Sequence, residues 1–504
     1  MSSLQSFQSS TSLLLTVALL FLAYLATLVI YRIYFHPLAK PQTPGLPKMP
    51  RSIWLAQVSY SVFDIANRLG PVFRYGPNRL SFNTSTALHT IYTPKANIRK
   101  SDFYKILISP AGPSILAAIP NDMHARKKRV LSQAFSEKAL RSIEEYMLLH
   151  TREFCEKLSS SPEPVNMSHW STYLTGDVLG EVCFGQSFSM LKEKTNRKLI
   201  GLITRSARFG LITSIGTYAN QYHLQCGSTI PLQHTPIPRI FFSKMLAGRL
   251  KFREWALARA GERTKLKDSG RKDFYHYMME AKNPSTDEKL DHKELWSEAS
   301  NLIVAGVDTT ATTLAATFFY LTRNRYALEK AKKEVREAFE GCGVEDIKTG
   351  EKLKGCKYLR ACLDESLRMT PPVPGMLPRT VLPGGIEIDN YQIPAGVEVG
   401  VAAYAIHHNE RYYEDSFTYR PERWLEDEKG MGEAFAPFSH GPRACIGKNM
   451  AYMEMMNTMA RVLWLFDMRG VGELGESGER KGEFEVRDCF ICDKDGPMVE
   501  FSKA

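Results

Sequence analysis

The sequence offers little from which to build a disulfide framework. Its nine cysteines (Cys155, Cys183, Cys226, Cys342, Cys356, Cys362, Cys445, Cys489 and Cys492) are odd in number and scattered through 504 residues, the usage of a reducing compartment. The one close pair, Cys489-Phe490-Ile491-Cys492, sits in an apolar strand-like run. It has neither a second pair at zinc-finger spacing nor a following His, which argues against a structural zinc or redox motif. No long basic block accompanies the net charge of +11. Nucleic-acid binding is therefore set aside for a basic face toward anionic lipid or an acidic partner protein. Disorder is argued against by 44% hydrophobic residues, enough for an extensive core.

Charge is also missing from Ser12 to Tyr31, and an apolar run of that length predicts a transmembrane helix over 12–31. No Lys or Arg precedes it, whereas Arg32, Lys40, Lys48 and Arg51 follow. The positive-inside rule then places residues 1–11 on the far, luminal side and the bulk of the chain in the cytosol, as a single-pass protein; the family resemblance described below implies the endoplasmic reticulum membrane. The competing reading, a cleaved signal peptide, fits poorly with the long apolar core and the absence of a basic n-region. Residues 32–50 are a proline-rich hinge, semi-rigid through Pro37, Pro41, Pro44 and Pro47, and 51–504 read as one catalytic domain. The sequons at Asn83 and Asn166 face the cytosol in this topology and are expected to be unused.

The most informative stretch is Phe438-Ser439-His440-Gly441-Pro442-Arg443-Ala444-Cys445-Ile446-Gly447. A lone thiol is by itself an ordinary small apolar residue. Here Gly441 and Gly447 bracket Cys445 and allow a tight backbone path with N–H groups aimed at the sulfur, and Pro442 stiffens it. Arg443 is expected to favour the thiolate and to reach an anionic group on a bound cofactor. The helix predicted from Lys448 adds its N-terminal dipole. The pattern Phe438-x-x-Gly441-x-Arg443-x-Cys445-x-Gly447-x-x-x-Ala451 resembles the haem-ligand signature of the cytochrome P450 family, with every position filled.

That resemblance covers about residue 32 to the end. It implies a mainly α fold with a small β region, a non-covalent haem b, and Cys445 as the axial thiolate, which favours O–O cleavage at iron. Other segments agree in order and spacing. Asp291-x-x-Glu294 predicts a capping box opening a long helix to about Tyr320. Within it, Ala305-Gly306-x-Asp308-Thr309-Thr310 resembles the family's oxygen-binding segment. Gly306 and the polar run are expected to weaken the helix and free a carbonyl for the Thr309 hydroxyl or a water. Ala305 and Thr309 then face the haem, Thr309 holds a hydrogen bond, and Asp308 relays protons. Glu365-x-x-Arg368 and Arg423 in Pro421-Glu422-Arg423-Trp424 resemble the buried pairing that locks the segment leading to Cys445, a structural role.

For the haem carboxylates the resemblance points to Arg443, Arg379 and the His124/Lys128 pair, at i, i+4 on a helix opening at His124. The family places an Arg where Lys128 stands, so Lys128 or Arg129 takes that role. Phe438 and Gly447 complete the cofactor-binding set. Ser101 to Asp122 reads as an apolar loop that lines a pocket or simply packs. Val373 and Met376 are expected beside that pocket, and Leu211 to Phe242 corresponds to the family's membrane-facing lid. Val72 to Ile91 predicts a β-hairpin about Gly76-Pro77-Asn78, strand alternation runs from Gly385 to Val399 with turns at Asp389-Asn390 and Pro394-Ala395-Gly396, and Asp493-Lys494-Asp495-Gly496 predicts a last hairpin turn near substrate. The implied activity is insertion of one atom of O2 into a lipophilic small molecule, by hydroxylation or epoxidation. Electrons come from an NADPH-dependent flavoprotein reductase docking near Lys127 and Lys448. The similarity of Tyr31–Leu38 to fungal members suggests secondary-metabolite biosynthesis. Two rivals are a membrane-tethered haem protein that only binds or carries electrons, and a reductase-independent isomerase or dehydratase of the same fold.

Overall fold

The computed structural model describes residues 70–76, 78–109, 111–198, 200–201, 243–265, 270–426, 432–472, 482–489 and 491–504, with Thr16, Leu19, Leu20, Ala23, Tyr24 and Thr27 from the N-terminal run. Those six are helical and exposed, and the Thr27 hydroxyl donates to the Ala23 carbonyl at 2.9 Å. Most of the predicted transmembrane helix, the hinge at 32–50 and the lid from Leu211 to Phe242 lie outside the described residues.

The chain opens with β1 (Val72–Gly76) and β2 (Arg79–Phe82), an antiparallel pair. The expected hairpin ends there. The Thr84 side chain accepts from the Ala87 N–H at 3.1 Å and caps helix α1 (Ser85–Ile91), whose Ala87, Leu88 and Ile91 share one buried face. β3 (Ile98–Lys100) leads into the 101–120 loop, and α2 (Asn121–Leu131) begins three residues earlier than the basic run suggested. Next come α3 (Glu137–Ser159), the short β4 (Val165–Asn166), α4 (Met167–Phe184), α5 (Ser243–Lys265) and α6 (Phe274–Glu280).

Helix α7 (His292–Arg323) is the organising element, 32 residues long. The Asp291 carboxylate accepts from the Glu294 N–H, and the Glu294 carboxylate from the Asp291 N–H, a complete capping box. Among the described residues it is the one helix apolar and long enough to cross a bilayer, yet it is mostly buried and its apolarity serves the core. Gly306 does not break it. A Cβ there would lie 2.7 Å from the Leu179 side chain, so this glycine lets α4 approach closely. The Thr175 hydroxyl crosses the contact to the Val307 carbonyl at 2.9 Å.

After α7 follow α8 (Arg325–Ala338), α9 (Glu351–Gly355) and α10 (Lys357–Met369), then β5 (Arg379–Val381), β6 (Ile386–Ile388), β7 (Tyr391–Ile393), β8 (Glu398–Val401), α11 (Ala403–His407), α12 (Arg423–Glu426), α13 (Lys448–Leu465), β9 (Phe466–Val471), β10 (Val486–Cys489), β11 (Ile491–Lys494) and β12 (Met498–Lys503). The main sheet runs β1-β2-β8-β5-β3, antiparallel except for the β2–β8 pair. β6 and β7 turn through Asp389 and Asn390 at φ 51° and 66°, the left-handed pair a tight hairpin needs. The last hairpin is formed by β10 and β11, paired antiparallel with Cys489 opposite Ile491, and does not turn at Asp493–Gly496 as expected. β11 runs on to Lys494, and β12 pairs with β9 and β4 instead.

The Glu-x-x-Arg element forms as anticipated. Glu365 accepts from Arg368 Nε and Nη2 at 2.9 and 2.8 Å, Arg423 Nε at 3.0 Å, Trp424 Nε1 at 2.9 Å and the Arg420 N–H at 3.0 Å. All three charged residues are buried, so α10 is tied to the segment that delivers Cys445.

Candidate active site

A cavity of about 670 Å³ lies between α7, the start of α13, the 101–120 loop and the Cys445 loop. The Cys445 loop comes from a run of backbone constraints. Gly441 has φ +67°, and a Cβ on it would fall 1.7 Å from the Tyr92 carbonyl oxygen, so only glycine fits. The Cys445 N–H then donates to the Phe438 carbonyl at 2.9 Å. Gly447 ends the loop as the cap of α13. Cys445, Phe438 and Gly447 all line the cavity, and the Phe438 ring packs on Tyr452 at 5.2 Å.

The sulfur's exposed surface faces this enclosed space. Burial raises the thiol pKa, while the N–H groups of Gly447 and Lys448 and the ammonium groups of Lys128 and Lys448 pull it down without cancelling the rise. Arg443, expected to stabilise the thiolate, is turned elsewhere. The protein groups around it do not by themselves favour the thiolate, which a bound metal cation would do. Among the described residues no group of three His, Cys, Asp or Glu side chains is placed to hold a metal.

Along one edge of the cavity the chain gathers cations without acids. The Arg443 guanidinium donates to the Ala118, Ile119 and Pro120 carbonyls and to Asn121 Oδ1, and burial, then Arg379, lower its pKa to about 10. Arg379 is not itself in the cavity wall; it is 2% exposed, and its Nε has no partner. Lys100, its register neighbour on β3, is also buried. Its ammonium reaches only the Leu116 carbonyl and the Tyr104 ring, and burial, then Arg379 and Arg443, push its pKa well down. His124 lines the same wall and is lowered to about 3 by burial, then by Arg443, Lys100, Lys128 and Arg379. No ion pair to Arg379, Arg443 or Lys100 occurs among the described residues. Buried cations that repel one another and leave a guanidinium N–H unpaired are the complement of a doubly anionic group. A flat iron macrocycle with two carboxylates fits this wall, with its metal on Cys445.

On the α7 side, Ala305, Gly306, Thr309, Thr310 and Thr313 line the cavity. The Thr309 hydroxyl donates to the Ala305 carbonyl at 2.7 Å, as expected, although the helix is continuous and the bond is made from within it. Asp308 is placed differently from Thr309. It is absent from the cavity wall, and its carboxylate lies 3.9 Å from the Lys494 ammonium on β11. Burial raises its pKa, Lys494 lowers it, and Asp493 adds to the rise.

Lys128 is not in the cavity wall that His124 lines; its ammonium donates to the Pro442 carbonyl at 2.7 Å beside the Cys445 loop. Arg129 does not replace it, being held outward by the Ala125 carbonyl and the Ser285 hydroxyl. Lys127 is 1% exposed and paired with Glu294 and Glu298 at 3.0 and 3.1 Å, so it cannot meet a docking protein; Lys448 is exposed. Val373 lines the cavity, whereas Met376 sits behind it against Gly400. The loop expectation holds through Phe103, Leu107, Ile108, Ile115 and Leu116. From the last hairpin, Ile491 beside the turn reaches the wall.

Sequence reasoning missed Lys100, whose only signal was a basic residue in a short strand, and Glu298, whose two carboxylate oxygens accept from the Ile115 N–H.

Comparison with known proteins agrees with this geometry. The Cytochrome P450 family profile matches residues 44–473. The chain is 32% identical to Cytochrome P450 monooxygenase AKT7 of Alternaria alternata over 97% of each chain. It is 35% identical to Cytochrome P450 monooxygenase apf7 of Gibberella fujikuroi over 96% of this chain and 97% of the relative, and 35% identical to Cytochrome P450 monooxygenase fscF of Fusarium equiseti over 95% and 94%. With the thiol loop, the cation-rich edge and the Thr309 face assembled in one cavity, this chain belongs to the cytochrome P450 family.

Proposed function

We propose that the protein is a membrane-anchored monooxygenase that inserts one atom of O2 into a lipophilic small molecule, by hydroxylation or epoxidation, in fungal secondary-metabolite biosynthesis. The observation that carries the reaction type is the placement of the Cys445 sulfur and the Thr309 hydroxyl in the walls of one cavity beside an acid-free cationic edge. Bound there, haem supplies the iron that activates O2. The chain's part follows from its residues. Cys445 would give the thiolate, Arg443 and Lys100, with Arg379 beside them, would hold the carboxylates, and neutral His124 would add a hydrogen bond without further repulsion. Phe103, Leu107, Ile108, Leu246, Leu250 and Ile115 supply an apolar wall that excludes water and suits a lipophilic substrate. Thr309 holds a hydroxyl in the cavity wall, and Asp308, on the Lys494 side of α7, would supply protons to it from outside that wall.

The uncharged run at 12–31 and the basic residues after it support an anchor in the endoplasmic reticulum membrane with a cytosolic domain. Exposed Lys448 beside the thiol loop suits an acidic NADPH-dependent reductase. The test is reconstitution with that reductase: product should form in step with O2 and NADPH consumption. An isomerase or dehydratase would turn over without NADPH, and an electron carrier would give no oxygenated product. Cys445→His should abolish the carbon monoxide difference band typical of thiolate ligation, and an unchanged band would refute the ligand assignment.

A further inference from the structure

Ser297, Asn301, Ala305, Thr309 and Thr313 recur at the helical interval along α7, and all of them line the cavity. The part of that face from Ala305 to Thr313 belongs to the site already described. The part nearer the start of α7 has no assigned role. Ser297 is engaged by the Gly112 carbonyl at 2.8 Å. The Asn301 carboxamide and the neighbouring Ser300 hydroxyl are half-buried in the cavity wall and have no hydrogen-bond partner among the described residues.

Helix formation does not explain Asn301. Asparagine is among the weaker helix formers, because its side chain competes for backbone groups. Packing does not explain it either, since the half-buried Leu302 and Val304 beside it make apolar contact with the core. A leucine at 301 would complete an apolar wall and favour the helix. A polar group that faces a cavity without a protein partner is matched by a polar group on the ligand.

The surroundings define that group. The 101–120 loop and α5 contribute Phe103, Leu107, Ile108, Leu246 and Leu250 to the wall. Among the described residues its acidic and basic side chains are Lys100, His124 and Arg443 of the cation-rich edge and Glu454 of α13, with none from α7. Glu298, the acid closest to Asn301 in sequence, is 0% exposed and held by Lys127 and the Ile115 N–H. A charged ligand group at Asn301 would lose its water and gain no counter-ion. A carboxamide both donates and accepts, so it serves a hydroxyl, a carbonyl or an amide. Spacing adds a length. At the helical rise per residue, Asn301 lies about 12 Å along the axis from Thr309, and Ala305 between them presents only a methyl group, which leaves room for an apolar body to run past.

We propose that Asn301, with Ser300 beside it, binds a neutral hydrogen-bonding group of the substrate, and that this group lies about 12 Å from the position that is oxidised. The substrate is then an apolar molecule whose far end carries a hydroxyl, carbonyl or amide rather than a carboxylate or an ammonium. The proposal rests on the monooxygenase reading, which puts the chemistry at the Thr309 end.

Probes of graded length test this on the full-length holoenzyme. Imidazoles carrying straight chains of about four to about twelve carbons bind the haem iron through the ring, shift the Soret band, and reach from well short of Asn301 to about the 12 Å required. At each length the chain ends in a methyl, hydroxyl, carboxylate or ammonium group. Short hydroxyl-ended probes should bind more weakly than their methyl-ended partners, because the hydroxyl loses water without a new bond. At the length that reaches Asn301, that penalty should vanish in wild type. Asn301→Leu should restore it, weakening the long hydroxyl-ended probe roughly fivefold relative to its methyl-ended partner. Asn301→Ala should do the same, and unchanged affinity for the short probes shows that the pocket of each variant is intact. Long carboxylate- and ammonium-ended probes should bind wild type more weakly than the hydroxyl-ended one. The proposal is overturned if the hydroxyl-to-methyl ratio is the same in wild type and both variants at every length, or if a charged end binds best. Failure of the monooxygenase reading shows up separately, as no NADPH-dependent product on reconstitution, and leaves these affinities readable because the probes need only bound haem.

Discussion

Glu365→Gln removes the one negative charge facing two enclosed guanidiniums. Arg368 is 0% and Arg423 2% exposed, and together they direct three of their N–H groups at the carboxylate. Burial raises the Glu365 pKa, but Arg368 and then Arg423 more than offset it and hold the group below its usual range. Breaking a buried ion pair from one side costs about 3–5 kcal/mol, because the partner charge stays behind without compensation. At about 2.1 cal/mol/K per residue, unfolding a chain of this length carries an entropy near 1 kcal/mol/K, so the apparent Tm should fall by roughly 3–5 °C. Far-ultraviolet circular dichroism reads the midpoint, and the Soret band reads haem retention on the same sample. Because Arg423 anchors the segment leading to Cys445, haem should be lost at a lower temperature than secondary structure. The sign with pH is fixed too. A depressed carboxylate adds stability above its unfolded pKa of about 4.3, and that share vanishes as pH falls through the lower folded value. The wild-type advantage over the variant should therefore be flat above about pH 5 and shrink below it. A variant matching wild type in Tm and haem release at pH 7 would refute the reasoning.

Gly441→Ala puts a methyl group 1.7 Å from the Tyr92 carbonyl at φ +67° and should abolish the thiolate-type carbon monoxide band in whatever protein still folds. Lys100→Met and Arg379→Met should each raise the haem dissociation rate, by about tenfold for a lost charge-assisted contact, whereas Arg129→Met should leave it unchanged; haem transfer to an apo-globin acceptor measures both. Thr309→Ala removes the hydroxyl held by Ala305 and should increase peroxide released per NADPH consumed. Tight coupling in that variant would count against a proton role for the hydroxyl.

The thiol loop could be read from sequence because its constraints are local. Gly441, Pro442 and Gly447 act within a few residues of Cys445, and the capping box at Asp291 and Glu294 is equally short-range. The cation-rich edge was only partly legible. Arg379 and Arg443 stand in recognisable motifs, but Lys100 acquires its meaning from pairing in register with Arg379 across β3 and β5, which no local pattern reports. The basic run 126–129 has four similar side chains, and only the helix phase assigns Lys127 to the core, Lys128 to the thiol loop and Arg129 to the outside. Asp308 and Thr309 are neighbours in sequence and diverge for the same reason. Thr84 ended a strand pattern early through a side-chain cap that alternation of apolar residues does not reveal.

Glu298 of α7 accepts the Ile115 N–H and so ties that part of the 101–120 segment to α7, it also holds Lys127 of α2, and the Ser297 hydroxyl adds a bond to the Gly112 carbonyl at 2.8 Å. The segment is also fastened at Ser101, to Glu398, and at Ala118, Ile119 and Pro120, to Arg443, so the pocket face formed by Phe103, Leu107 and Ile108 is carried on a stretch pinned at both ends. Exchanges among those three side chains should retune which molecules are accepted without disturbing the fastenings on either side.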